Sequence, residues 1–133
     1  MAVGQHVDPD LEHRVEALFA QLGQVVRLPD RSMEAATSIT GVGPAYVALI
    51  VEALTDAGVR RGLSAAQAAE LATETLAGTA ELIAARDYDT LMVRREVTSP
   101  GGSTARGLRA LEEHGLRTAF QAAADAVIDG GRR

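Results

Sequence analysis

A chain of 133 residues, 47% apolar and 23% charged, is long enough for one soluble domain with a hydrophobic core. Its net charge of −5 argues against general affinity for nucleic acid or an anionic membrane surface. The absence of cysteine excludes thiol catalysis, disulfides and cysteine-ligated metals, and the few aromatics (Phe19, Phe120, Tyr46, Tyr88) argue against base-stacking surfaces. No apolar run reads as long enough to span a bilayer, and the N-terminal residues show no signal-peptide pattern. A cytoplasmic protein is the expectation.

Asp8-Pro9 opens the first periodic segment, with the aspartate as cap and the proline just inside. Leu11, Val15, Leu18, Phe19 and Leu22 share one helical face, and Gly23 stops it. Residues 24–28 form a short β-like run closed by Pro29-Asp30, with residues 1–3 as a scrap of the same kind. A lone strand needs a partner. The piece therefore reads as the end of something larger, or as an edge completed by another subunit.

From Arg31 onward the pattern is helical. Residues 32–39 predict a short helix, interrupted by Gly41-Val42-Gly43-Pro44. Pro44 starts a long helix through Tyr46, Leu49, Ile50, Ala53, Leu54 and Ala57, with Val47 and Val51 off that face. A helix apolar most of the way round belongs deep in a bundle or a subunit interface. Residues 58–62 break it. Ser64-Ala65-Ala66-Gln67 is a capping box, opening a helix to about residue 86. Asp87 is expected to cap a short helix over residues 88–96. Another helix ends near His114-Gly115, and the last carries Leu116, Phe120, Ala124, Val127 and Ile128 on one side. Gly130-Gly131-Arg132-Arg133 reads as a frayed tail.

Most candidate chemistry fails. His6, His13 and His114 are scattered, so no metal site is expected. There is no Gly-x-Ser-x-Gly elbow. Gly41-Val42-Gly43 starts like a dinucleotide fingerprint, but Tyr46 takes the third glycine position and no strand precedes it. Arg94 and Arg95 read as a solvated helix face.

Val97-Thr98-Ser99-Pro100-Gly101-Gly102-Ser103-Thr104 is the exception. Ser99 is expected as an N-cap and Pro100 as the first helical residue, with the two glycines leaving the first-turn N–H groups uncovered. Such a helix start suits a small carboxylate or phosphate. On the residues alone, an anion site and a plain cap are about equally supported.

This run, followed by Gly107-Leu108 and Leu111-Glu112, resembles the signature of the pyrroline-5-carboxylate reductase C-terminal domain. Gly41-Val42-Gly43-Pro44-Ala45-Tyr46 and residues 52–59 resemble that family's turn and long helix. The resemblance implies an all-α bundle of the 6-phosphogluconate dehydrogenase C-terminal type, forming an interlocked homodimer, with dimers often assembling into a larger ring. Residues 31–133 would be the helical dimerisation and substrate-binding domain. Residues 1–30 would be an αβ remnant of the end of a nucleotide-binding domain. It also implies NAD(P)H-dependent reduction of 1-pyrroline-5-carboxylate to proline. Val97, Ser99, Gly101, Gly102, Ser103 and Thr104 match the substrate turn, with Thr104 as the hydroxyl on the ring nitrogen and hence the catalytic candidate. Glu96 and Val97 match positions near the cofactor, NADPH or NADH. Val42 replaces a small hydroxyl residue, and Glu96 replaces an amide. No Gly-rich βα turn is present, so the chain alone is expected to bind no cofactor and to be inactive. A non-catalytic dimerisation or small-carboxylate-binding module is the alternative.

Overall fold

A computed structural model of the chain describes residues 1–4 and 6–130. Seven α-helices and one 3-10 turn make up the regular structure, and no strand forms among the described residues. The helices are α1 (Pro9–Ala20), α2 (Met33–Thr40), α3 (Gly43–Val59), α4 (Ala65–Ala84), α5 (Thr90–Glu96), α6 (Ser103–Glu113) and α7 (Leu116–Gly130). The all-α reading holds. The expected tail residues 131–133 lie outside the described residues.

The Asp8 carboxylate caps α1 by accepting from the Asp10 N–H at 3.0 Å. Beyond Gly23, residues 24–28 do not form a regular strand, because among the described residues only Met1 pairs with their backbone. Arg27 folds back onto α1 and forms ion pairs with Glu12 and Glu16. Helix α1 packs against no other described helix.

A 3-10 turn, Asp30–Ser32, leads into α2, and Pro44 sits in the first turn of α3. Together the stretch Asp30–Val59 is long and apolar enough to cross a membrane by length and composition, with an 18-residue window whose mean hydropathy is 1.4. The expectation that no apolar run reaches that length is therefore corrected. The Gly41-Val42 interruption does not add enough polarity to divide the stretch. Thr37, Ser38 and Thr40 turn their hydroxyls back to the carbonyls of Met33, Ala35 and Ala36, which hides much of their polarity.

Helix α4 begins with the expected capping box. Ser64 Oγ accepts from the Gln67 N–H at 3.3 Å, and Gln67 Oε1 accepts from the Ser64 N–H at 3.2 Å. Helices α3 and α4 pack side by side. A Cβ at Gly58 would lie 3.1 Å from the Ala68 Cβ, so glycine there permits the close approach. Ala68 and Ala72 are buried on that face of α4.

The cap of α5 is Asp89, which accepts from the Met92 N–H at 2.9 Å, and not Asp87. Asp87 and Tyr88 instead occupy left-handed backbone, at φ 50° and 64°, and turn the chain between α4 and α5. The Tyr88 hydroxyl donates to Gln24 Oε1 at 2.8 Å, tying this corner to the N-terminal segment. Helix α6 ends at His114, whose ring nitrogen lies 2.8 Å from the Ala110 carbonyl, and Gly115 at φ 75° starts the turn into α7. Helix α7 packs on α2 and α6.

The core is small. Ala68, Ala72 and Val93 are the buried apolar residues among those described, whereas Leu49, Ile39 and Phe120 remain exposed.

Candidate functional site

The site is built on the connection between α5 and α6. The Gly102 N–H donates to the Ser99 carbonyl at 3.0 Å, and Gly101 sits at φ 69°. Proline at the second position and a left-handed glycine at the third define a type II turn over residues 99–102. This corrects the expected helix start. Gly102, not Ser99, is the N-cap residue, and α6 begins at Ser103. The left-handed backbone of Gly101 breaks the helical path, so Pro100 forms a turn corner instead of a first helical residue.

The correction moves the exposed donors without removing them. Gly102 spends its N–H inside the turn. The next backbone bond runs from the Arg106 N–H to the Gly102 carbonyl at 3.2 Å. The N–H groups of Ser103, Thr104 and Ala105 therefore lie in the unpaired first turn of α6. Ser99, Ser103 and Thr104 are exposed beside them. Six donors and acceptors of small reach thus gather at the positive end of a helix dipole.

Gly102 packs closely on Ser99. A Cβ there would collide with Ser99 Oγ and lie 3.1 Å from the Ser99 carbonyl oxygen. Arg106 Nη1 donates to the Gly101 carbonyl at 2.7 Å and braces the turn from the second turn of α6. Thr98 contributes a hydroxyl that is buried without a partner.

Glu96 ends α5, immediately before Val97, which is 56% exposed. Arg86, at the end of the α4 segment, clasps Glu96 with Nε at 3.1 Å from Oε1. The Glu96 carboxylate is thus offset by a guanidinium. Sequence reading missed both Arg86 and Arg106. Arg106 lies two residues past Thr104 and carried a readable signal. Arg86 is ten residues from Glu96 across a left-handed corner, and no spacing rule connects them. Arg94 and Arg95 are exposed in the last turn of α5, where cations suit the helix dipole. No cluster of metal-ligating side chains occurs among the described residues.

The described chain is thus an all-helical domain with a glycine-rich turn at the start of α6, the class that its fold defines. Residues 30–133 match the family described as pyrroline-5-carboxylate reductase dimerisation, and the chain belongs to that family. It is 44% identical to a pyrroline-5-carboxylate reductase of Synechocystis, over 90% of this chain and 45% of the relative. It is 41% identical to the Mycobacterium tuberculosis enzyme, over 96% of this chain and 49% of the relative. Among solved structures, the Coxiella burnetii reductase matches with a TM-score of 0.93 at 30% identity, covering 98% of this chain and 49% of that one. The Plasmodium falciparum enzyme, solved with NADP bound, matches with a TM-score of 0.85 at 32% identity, covering 96% and 51%. The chain spans about half the length of the curated relatives it matches.

Proposed function

We propose that the chain supplies the substrate half-site and the dimer interface of a pyrroline-5-carboxylate reductase. The observation that carries this reading is the type II turn of residues 99–102 opening α6, inside a chain of this family. The substrate carboxylate is received by the N–H groups of Ser103 and Thr104 and by the Ser99 and Ser103 hydroxyls. The Thr104 hydroxyl hydrogen-bonds the ring nitrogen and is the catalytic candidate, holding the proton that nitrogen takes up as the C=N bond is reduced. Val97 and Gly101 bound the ring.

The nicotinamide supplies the hydride when bound, and the protein supplies orientation and charge. Of this chain, Val97 and Glu96 would border it. Arg86 offsets the Glu96 charge that would otherwise repel a phosphorylated cofactor. The cofactor-binding residues proper lie outside the turn, so the isolated chain is expected to bind the carboxylate without turning it over.

The partner is a second copy of this chain. Helices α3 and α7 leave an apolar groove of about 320 Å³ lined by Tyr46, Leu49, Ile50, Leu116 and Phe120. A helix of the second copy fills it, and the apolar stretch Asp30–Val59 is read as protein interface in a cytoplasmic enzyme.

Calorimetric titration with proline, which carries the same carboxylate and ring nitrogen, tests the site. Thr104→Ala is expected to weaken binding by about tenfold, the value of one hydrogen bond. Gly102→Val is expected to abolish it by displacing Ser99. Equal binding by all three proteins would overturn the reading.

A further inference from the structure

Arg106 grips the turn of residues 99–102 in two places. Its backbone N–H donates to the Gly102 carbonyl at 3.2 Å, and its guanidinium Nη1 donates to the Gly101 carbonyl at 2.7 Å. The second contact follows from helix geometry. Arg106 is the fourth residue of α6, and side chains on a helix lean toward its N-terminus. A long side chain at this position therefore reaches back over the start of the helix.

The peptide unit between Gly101 and Gly102 is thereby held at both ends. It is trans, so its N–H and C=O point to opposite sides. The N–H is spent on the Ser99 carbonyl at 3.0 Å and the C=O on Arg106. Two successive glycines have the widest backbone freedom and no side chains of their own to restrain them. Among the described residues, the Arg106 guanidinium makes the one side-chain hydrogen bond to either glycine. This linkage joins Ser99, on the turn, to the unpaired N–H groups of Ser103 and Thr104, on the helix. Its orientation sets how the Ser99 hydroxyl and those donors face one another.

Arg106 also keeps its charge unspent. Arg109 and Arg117, further along α6 and on α7, pair with Glu113 and Glu112. No carboxylate pairs with Arg106 among the described residues, and α6 has no acidic residue in its first turn. A cation close to a helix N-terminus opposes the dipole. A carboxylate bound at the turn relieves that opposition, because it is attracted by both.

We infer that Arg106 is a positioning residue for the substrate carboxylate. It acts through the Gly101–Gly102 peptide, which it fixes so that the Ser99 hydroxyl and the Ser103 and Thr104 N–H groups converge, and its unpaired charge favours an anion there. The inference rests on the substrate turn proposed above and adds to it a residue that sets its affinity.

Proline titration calorimetry on the full chain, Arg106→Met and Arg106→Lys tests this. Methionine keeps an unbranched stem without charge or donor, whereas lysine keeps the charge and a donor. Arg106→Met is expected to bind proline about tenfold more weakly, the value of one hydrogen bond. Arg106→Lys is expected to recover most of that loss. Amide exchange by NMR supplies a second readout: the Gly102 N–H is expected to exchange faster in Arg106→Met, with the amides of α3 and α4 unchanged. Unchanged proline binding or unchanged Gly102 exchange in Arg106→Met overturns the inference. So does a loss that Arg106→Lys shares in full, or one accompanied by faster exchange throughout α3 and α4, which would make Arg106 a residue of general stability. An unmodified chain that binds no proline overturns the substrate turn itself. Proline binding that is indifferent to Arg106→Met overturns this inference alone.

Discussion

Single side chains show how little of this domain's specificity comes from large residues. A Cβ at Gly102 would displace the Ser99 hydroxyl and crowd the Ser99 carbonyl, and Gly101 is favoured because the turn needs left-handed backbone. On α1, a hydrogen bond from Arg27 holds the Glu16 carboxyl below its ordinary pKa, with partial desolvation opposing and the charges of Arg27 and His13 assisting. A carboxyl with a depressed folded pKa adds stability above its unfolded pKa, and loses it as pH falls through the folded value. Arg27→Gln is expected to raise the Glu16 pKa toward its ordinary value, since it removes the largest cause of the lowering. Carboxyl-carbon NMR titration checks this, and an unchanged Glu16 midpoint would contradict it. The stability difference between the two proteins should vanish at acid pH, once Glu16 is protonated in both.

At the scale of elements, caps and breaks decide the boundaries. The Ser64–Gln67 box satisfies donors at both ends of its reciprocal pair, so it was legible from four residues. Ser64→Ala is expected to cost about 1 kcal/mol. Urea unfolding at fixed protein concentration would show it as a lower midpoint with unchanged slope. Asp89 was missed as the cap of α5 because Asp87 offers the same side chain two residues earlier. Only the left-handed backbone at Asp87 and Tyr88 selects between them. The same kind of event shifted α6: Gly101 turned a helix start at Ser99 into a type II turn, and α6 began at Ser103.

The whole molecule exposes far more surface than a compact monomer. Its accessible area is 10615 Å², against about 6,700 Å² for a folded chain of this mass. The excess is of the size buried in obligate interfaces. Much of it is apolar: Leu49 is 63% and Ile39 71% exposed, both within Asp30–Val59. Burying that face against a second copy predicts a dimer in sedimentation equilibrium. Leu49→Glu, on the α3–α7 groove, is expected to yield monomer with reduced helicity. A native-like monomer in the unmodified chain would refute the interface.

The sequence by itself determined the helices, their order and the chemistry of the turn. These depend on neighbours within a few residues: apolar periodicity, the Ser64 box, Pro44 at the head of α3, and the glycines before α6. The family resemblance rested on the same local runs. Other features were decided only by the tertiary structure. The Arg86–Glu96 clasp and the Tyr88–Gln24 bond join residues far apart in the chain. The bonds of Met1 to Val26 and Leu28 require α1 to carry the chain back on itself. A strand was readable in residues 24–28, but among the described residues only Met1 pairs with their backbone, so no regular strand forms. Pairing energy lies between segments, and a one-dimensional pattern does not record which segments meet.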